Sequence, residues 1–375
     1  MEFDLSLDQR EAYEYISNMK PGEMVYLGGN AGTGKSTLTE FIYRHNPRIR
    51  KLAPTGIAAQ NIAGCTIHSF LGIGQIPKLW HRDIIPSRLK ERIEGLEYVI
   101  VDEISMVGKE LFEFMVKTVK QYSDCYIRFI FIGDFCQLEP VKDEFCFNSK
   151  IWDDVYLLEL TTIHRQKDPE FIDCLNNVRF NRMNEAVVRK IIKERSVKTY
   201  PDNAIFITPR RAIAQHRNDQ KLKELKKPVK TSKAQIEFGK WQNNRIPETL
   251  QYAEDARVLM LVNDQAGRWV NGSLGTITEI FGNNTVTVTL DSGSIVNVLK
   301  ERHVILNGDG KEILAFRQFP FQLGYAITIH KSQGMTLDRV AIDMYGHFGR
   351  GASMTYVALS RCRTREGLYL LNCGL

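Results

Sequence analysis

Blocks of four or five apolar residues, each closed by glycine or an acid, mark the first part of the chain as alternating strand and helix. Met24-Val25-Tyr26-Leu27 is a short buried strand, and Thr37 to Tyr43 after it begins a helix. Tyr98-Val99-Ile100-Val101 and Phe129-Ile130-Phe131-Ile132 are apolar throughout, as strands of a parallel sheet covered on both faces are. Ser6 to about Met19 has the spacing of an amphipathic helix, Arg48 to Ala53 reads as a strand, and Pro169 to Val178 as a helix. Ala204 to Thr208 begins a second sheet. From Thr249 to Phe316 the period changes to two, with turns such as Gly282-Asn283-Asn284 and Asp291-Ser292-Gly293 between short alternating runs. This predicts a small all-β module, a barrel, set into a second α/β domain. The α/β texture resumes at Phe321, with a strand over Arg339 to Met344, a basic helix over Tyr356 to Arg363 and a closing strand over Gly367 to Leu371.

The stretch from Gln75 to Arg92, with Pro77 and Pro86, reads as an irregular insertion, and the Lys-rich run from Lys221 to Lys233 as a solvated helix face. The expected boundaries are 1–170 for the first domain with an excursion at about 73–94, 171–248 with 319–375 for the second, and 249–318 for the β module. At 375 residues, 43% hydrophobic and 25% charged, the chain has the composition of a globular protein with several cores. No run approaches the length of a membrane span, and Glu2 and Asp4 open the chain without a basic region before an apolar stretch. Seven cysteines without a C-x-x-C pair argue for a reduced, intracellular compartment rather than a disulfide framework. That means cytoplasmic in a bacterial or viral setting, nuclear or mitochondrial in a eukaryotic one. The net charge, 50 − 44 = +6, permits an anionic partner and proves little.

Chemistry enters at Gly29-Asn30-Ala31-Gly32-Thr33-Gly34-Lys35-Ser36-Thr37, which fits the phosphate-binding pattern G-x-x-x-x-G-K-[ST] between a strand and a helix. Its glycines let successive N–H groups point at phosphate oxygens at a helix start. Lys35 supplies a point charge for the β- and γ-phosphates and Ser36 a hydroxyl for Mg²⁺. A nucleoside triphosphate with Mg²⁺ is therefore the expected ligand. Asp102 at a strand tip can hold the metal through water, and Glu103 can polarise the attacking water. Gln137, three residues past Asp134, carries an amide that could sense the γ-phosphate. Gln9 reads first as part of a capping box with Ser6, and second as a contact to the adenine edge. Taken alone, Arg165 reads as a surface arginine and His68 as a structural histidine.

The ordered set of Gln9, GGNAGTGKS, APTGIAA, VDEIS, GDFCQLEPV, HRQ, GYAITIHKSQGMT and YVALSRCR resembles the motifs of superfamily-one, group-B helicases. The resemblance is greatest to the petite-integration-frequency (Pif) DNA helicases, with RecD and Dda helicases more distant. It covers Gln9 to Arg363. It implies two RecA-like motor domains, with a small wedge insertion in the first and a barrel of the Src-homology-three kind in the second. It further implies a monomeric, ATP-dependent 5′–3′ helicase acting on single-stranded DNA and single-strand/duplex junctions, in replication, repair, recombination and telomere maintenance. No membrane partner is implied.

Carried onto this sequence, the resemblance places Gln9 against adenine, Gly334 near the nucleotide, and Gln137 between the γ-phosphate and the DNA track. Arg165 and Arg361 become the two arginines reaching the γ-phosphate. Pro54, Thr55, His68, Ser69 and Phe70 line one half of the strand path, and Thr328, His330 and Lys331 the other. Phe70 would stack on a base, and Trp80 and His81 become candidates for the wedge tip. One departure is Glu139, standing where the family usually has a first proline before Pro140. The other is the near-minimal length, without long extensions. An ATP-driven translocase, remodeller or loader without strong unwinding is the alternative activity. An ATP-locked binding module and a metabolic kinase are further rivals.

Overall fold

The computed structural model describes residues 5–74, 77–124, 126–241, 245–344 and 352–373. Glu2 and Asp4, Gln75 and Ile76 of the expected insertion, and Cys125 lie outside the described residues. The chain divides into two compact units, one of residues 1–165 with 306–312, the other of 166–305 with 313–375.

The first unit is built on a six-stranded sheet. Its strands are β1 (Met24–Gly29), β2 (Ile49–Ala53), β3 (Cys65–Thr66), β4 (Tyr98–Val101), β5 (Arg128–Ile132) and β6 (Val155–Leu160). The spatial order is β3-β2-β4-β5-β1-β6, every neighbouring pair parallel. All four residues of β4 are buried, as expected for a strand covered on both faces. Helices α1 (Leu7–Ser17), α2 (Lys35–His45), α3 (Gly56–Asn61) and α4 (Ile67–Leu71) follow in order. The insertion comes next, and then the helix Lys109–Tyr122, which buries Phe112, Met115, Val116 and Val119 along one stripe.

From Pro77 onward the insertion is not irregular. It is helical over Pro77–Leu79, Trp80–Asp83 and Pro86–Ile93. Pro86 occupies the first turn of its helix, where its missing N–H costs nothing, and Leu89 and Ile93, four apart, seat that helix on the core. Trp80 is 4% exposed, belongs to that core and donates its indole N–H to the Gly74 carbonyl at 2.9 Å, so it is not an exposed tip. His81 is exposed and sets its ring edge-to-face on Phe114, 4.9 Å between centroids.

The second unit holds a four-stranded parallel sheet in the order Ala326–Thr328, Ile205–Thr208, Val340–Asp343, Leu368–Leu371. Between its first two strands in sequence lie three antiparallel sheets of two, five and three strands. Antiparallel structure begins at Lys230, earlier than the change of texture at Thr249, because Lys230–Lys233 pairs with Thr249–Tyr252. The Lys-rich run is therefore helix only to Glu224. The β module has its own core of Val258, Met260, Val286, Val288, Phe319 and Phe321 among others. The last helix, Ala352–Leu359, stops short of Arg361, which stands in the turn after it. Among the described residues no helix is long and apolar enough to cross a membrane. The six described cysteines are free, and burial pushes the Cys146 thiol up to about 12.

Candidate nucleotide and nucleic-acid sites

The phosphate-binding loop joins β1 to α2. Gly29, Gly32 and Gly34 take positive φ (152°, 91° and 77°). At Gly29, a Cβ would stand 2.7 Å from the Leu160 carbonyl oxygen, so this position needs glycine for space as well as for backbone conformation. Lys35 Nζ donates to the carbonyls of Gly29 (2.7 Å) and Asn30 (2.9 Å), across the mouth of the loop. Ala31 and Thr33 are buried, and Thr33 Oγ1 braces the turn by donating to the Asn30 carbonyl at 2.9 Å. Ser36 and Thr37 are exposed on the first turn of α2.

Around Lys35 the charges are arranged for a polyanion and its counterion. Burial lowers the ammonium's proton affinity, the carboxylates of Asp134, Glu103 and Asp102 raise it, and Arg165 lowers it again. Asp102 stands at the end of β4, and burial holds its carboxyl above the usual range against the Glu103 N–H, Lys35 and Lys51. Glu103, in left-handed backbone (φ 52°), turns away from the strand and donates its N–H to Asp102 Oδ1 at 2.9 Å. The Ser36 hydroxyl and the Asp102 carboxylate are hard oxygen donors. That donor set would suit Mg²⁺, which takes oxygen ligands.

Two functional contributions escaped the sequence reading. Asp134 at the tip of β5 is wholly buried and accepts from the Gln137 amide (3.3 Å) and the Cys136 N–H (3.1 Å), so it fixes where Gln137 points. Its signal was its place after a buried strand, the same as that of Asp102. His164 donates its N–H to the Gly32 carbonyl at 2.8 Å, which seats the residue before Arg165 directly on the phosphate loop.

The capping-box reading of Gln9 has a counterpart in its contacts, and the amide's second partner is the phosphate loop. Its Oε1 accepts the Ser6 N–H (3.0 Å) in the capping box, while Nε2 donates to the Thr33 carbonyl (3.2 Å). At 2% exposure, the amide is spent on cap and loop, leaving little capacity for a base.

Among the residues expected along the strand path in the first unit, Pro54 is half-buried and Thr55 is the exposed N-cap of α3, accepting the Ala58 N–H at 3.2 Å. His68 and Ser69 are half-buried on α4, and burial lowers the His68 titration. Phe70 is wholly buried in the core, so its ring is not offered for stacking on a base. An apolar ring on a short amphipathic helix packs inward, and Thr66 at the N-cap sets that rotation. The backbone of this element is held by Arg92, whose guanidinium donates to the Ser69 (3.1 Å) and Phe70 (2.7 Å) carbonyls and pairs with Asp309.

In the second unit, Thr328 caps the one-turn helix Ile329–Ser332 and accepts the Lys331 N–H. His330 is exposed. Lys331 Nζ donates to Gln322 Oε1 at 2.8 Å, and burial, with Arg211 and Arg245 nearby, lowers its pKa to about 8. Gly334 is exposed with φ 74°. Arg361 is 2% exposed and donates Nε to the Val357 carbonyl (2.8 Å) and Nη2 to Ser360 Oγ (2.8 Å). Nη1 reaches the Ser332 carbonyl at 3.5 Å, joining the Ser332–Gly334 turn to the Arg361 turn. Gln166, buried, donates to the carbonyls of Ser360 (3.2 Å) and Cys362 (2.9 Å), on either side of Arg361.

Residues 4–189 match the family described as PIF1-like helicase. The chain is 34% identical to an ATP-dependent DNA helicase Pif1 of Bdellovibrio bacteriovorus, over 99% of this chain and 88% of that one. The frog and human PIF1 helicases match at 31% and 34% identity over 95% and 94% of this chain, which spans only 60% and 58% of their length. Among solved structures, Bacteroides sp. Pif1 in complex with ADP-AlF4 aligns with TM-score 0.82 at 28% identity, covering 98% of this chain and 92% of that one. At 34% identity to a Pif1 helicase over nearly its whole length, and with the PIF1-like family matching residues 4–189, this chain belongs to the PIF1-like helicase family.

Proposed function

We propose that the protein is an ATP-dependent DNA helicase that moves 5′ to 3′ on single-stranded DNA and separates duplex ahead of it. The observation that carries this is the phosphate loop, where Lys35 bridges the Gly29 and Asn30 carbonyls with Asp102, Glu103, Asp134 and Arg165 around it, in a chain 34% identical to a Pif1 helicase. Relatives whose solved structures are described as bound to ADP-AlF4 and to single-stranded DNA support the same reading. In it, Ser36 and Asp102 hold Mg²⁺, Glu103 is the general base, and Gln137, aimed by Asp134, senses the γ-phosphate. Arg165 and Arg361 stabilise transition-state charge. Thr55, His68 and Ser69 with Thr328, His330 and Lys331 hold DNA phosphates without regard to sequence.

Unwinding of 5′-tailed and 3′-tailed duplexes tests the proposal. Strand separation of the 5′-tailed substrate alone supports it. DNA-stimulated ATPase without separation of either substrate would favour a translocase or loader, and separation of the 3′-tailed substrate would reverse the polarity.

The titration of Lys331 gives a pH test. Its pKa of about 8 lies below the ordinary lysine value, so the cation that binds phosphate is lost as pH rises through 8. Single-stranded DNA affinity is expected to fall several-fold between pH 7 and pH 9, and to fall much less in Lys331→Arg, whose charge does not titrate there. Fluorescence anisotropy at constant ionic strength measures this, and parallel pH profiles for the two proteins would remove Lys331 from the DNA site.

A further inference from the structure

The end of β6 leads to Arg165 through Thr161, Thr162, Ile163 and His164, and these residues carry no obvious chemistry. Their backbone is nevertheless tied down at two points. Asp8 Oδ2 accepts the N–H groups of both Thr161 and Thr162 at 2.9 Å, and the His164 N–H reaches the Gly32 carbonyl. The other Asp8 oxygen accepts from Ser6 Oγ and from the Gln9 N–H (3.0 Å). Gln9, the next residue, holds the phosphate loop through the Thr33 carbonyl. The first turn of α1, the phosphate loop and the segment before Arg165 thus form a closed circuit of hydrogen bonds. Asp8 is the one side chain in it that reaches both α1 and the arginine segment.

We propose that Asp8 is a positioning residue for hydrolysis, holding Arg165 in register with the phosphate loop through the Thr161 and Thr162 amides. The proposal rests on the role given to Arg165 above. Burial alone would raise the Asp8 carboxyl, but the hydrogen bonds from Ser6, Thr162 and Thr161 bring it down to about 2, so at neutral pH it is an anion with every near donor matched. An amide cannot replace it. Asparagine presents one acceptor oxygen and one NH₂, so one side of the circuit would face a donor with a donor. Misplacement of a catalytic group by about 1 Å is enough to cost up to 10²-fold in rate.

Asp8→Asn is therefore expected to lower DNA-stimulated turnover about tenfold or more. Its affinity for a fluorescent ATP analogue should stay within about threefold, and amide exchange at Thr161 and Thr162 should quicken. In an Arg165→Ala background, the same change should lower residual single-turnover hydrolysis less than twofold, since the group it positions is gone. Asp8→Ser, which leaves the Ser6–Gln9 capping box of α1 in place but is too short to reach Thr161, is read by the same criteria if Asp8→Asn does not fold. Turnover within twofold of the parent overturns the proposal. An equal loss in both backgrounds also overturns it, because Asp8 would then act on the fold alone. Undiminished turnover in Arg165→Ala by itself overturns the role of Arg165, and this proposal with it; that outcome is visible before Asp8 is touched.

Discussion

Lys35→Ala is expected to abolish DNA-stimulated ATP hydrolysis and strand separation together. In the present structure, the Lys35 ammonium bridges the Gly29 and Asn30 carbonyls and lies among Asp134, Glu103 and Asp102. Alanine removes the only lysine of the loop and leaves those three carboxylates facing a polyanionic ligand, with Lys51 near Asp102 and Arg165 near the loop as the remaining cations. Two effects add. The triphosphate loses its point charge, and the carboxylates, repelling one another without the lysine, take up protons more readily, which weakens Asp102 as a metal ligand. A loss of about 10²–10³ in turnover is the expected scale for one electrostatic partner of the transition state. Phosphate release with saturating single-stranded DNA measures it, with Lys35→Met as a control that keeps the side-chain volume. Substantial DNA-stimulated turnover in a clean preparation of either variant would sink the assignment of the nucleotide site.

Residues whose role is local were the legible ones. The phosphate loop, the buried strands β4 and β5 and the Asp102-Glu103 pair follow from sequence spacing, because a strand–loop–helix unit and a strand tip are each decided within about ten residues. What the sequence did not reveal depends on distant partners. Asp8 meets Thr161 and Thr162 more than 150 residues away, and Gln166 meets the carbonyls beside Arg361 nearly 200 residues away. Phe70 shows the converse error. A motif resemblance carried its ring to a DNA base, whereas local amphipathicity, with Ile67, Phe70 and Leu71 all buried on one side of α4, sends it into the core. The insertion was misread for a related reason. Its prolines and basic residues suggested disorder of form, yet Pro86 starts a helix and Trp80, Leu89 and Ile93 supply its apolar side.

The second large effect is expected at Arg361. Its guanidinium is almost wholly buried, with Val357, Ser360 and Ser332 as partners, and Gln166 clamps the backbone on both sides of it. A planar fork held this way is already oriented, so little side-chain entropy is lost when it meets a phosphate. Removal of an arginine that stabilises phosphoryl-transfer charge costs about 10³–10⁵ in turnover while leaving ground-state binding nearly intact. Arg361→Ala is therefore expected to retain affinity for an ATP analogue within a few-fold and to lose at least about 10³ in turnover. The same burial gives Arg361 a structural role. Alanine strands the Val357 and Ser332 carbonyls and the Ser360 hydroxyl, at a cost of about 1–3 kcal/mol for each buried group left unpaired. A lower melting temperature should accompany the kinetic loss. Arg361→Lys separates the two, because it retains a charge and donors for the turn but not the bidentate fork. If the arginine acts on the phosphate, lysine restores most of the melting temperature and little of the turnover. If lysine restores both in proportion, Arg361 serves the packing of its turn, and Arg165 is left as the only arginine of the hydrolytic site.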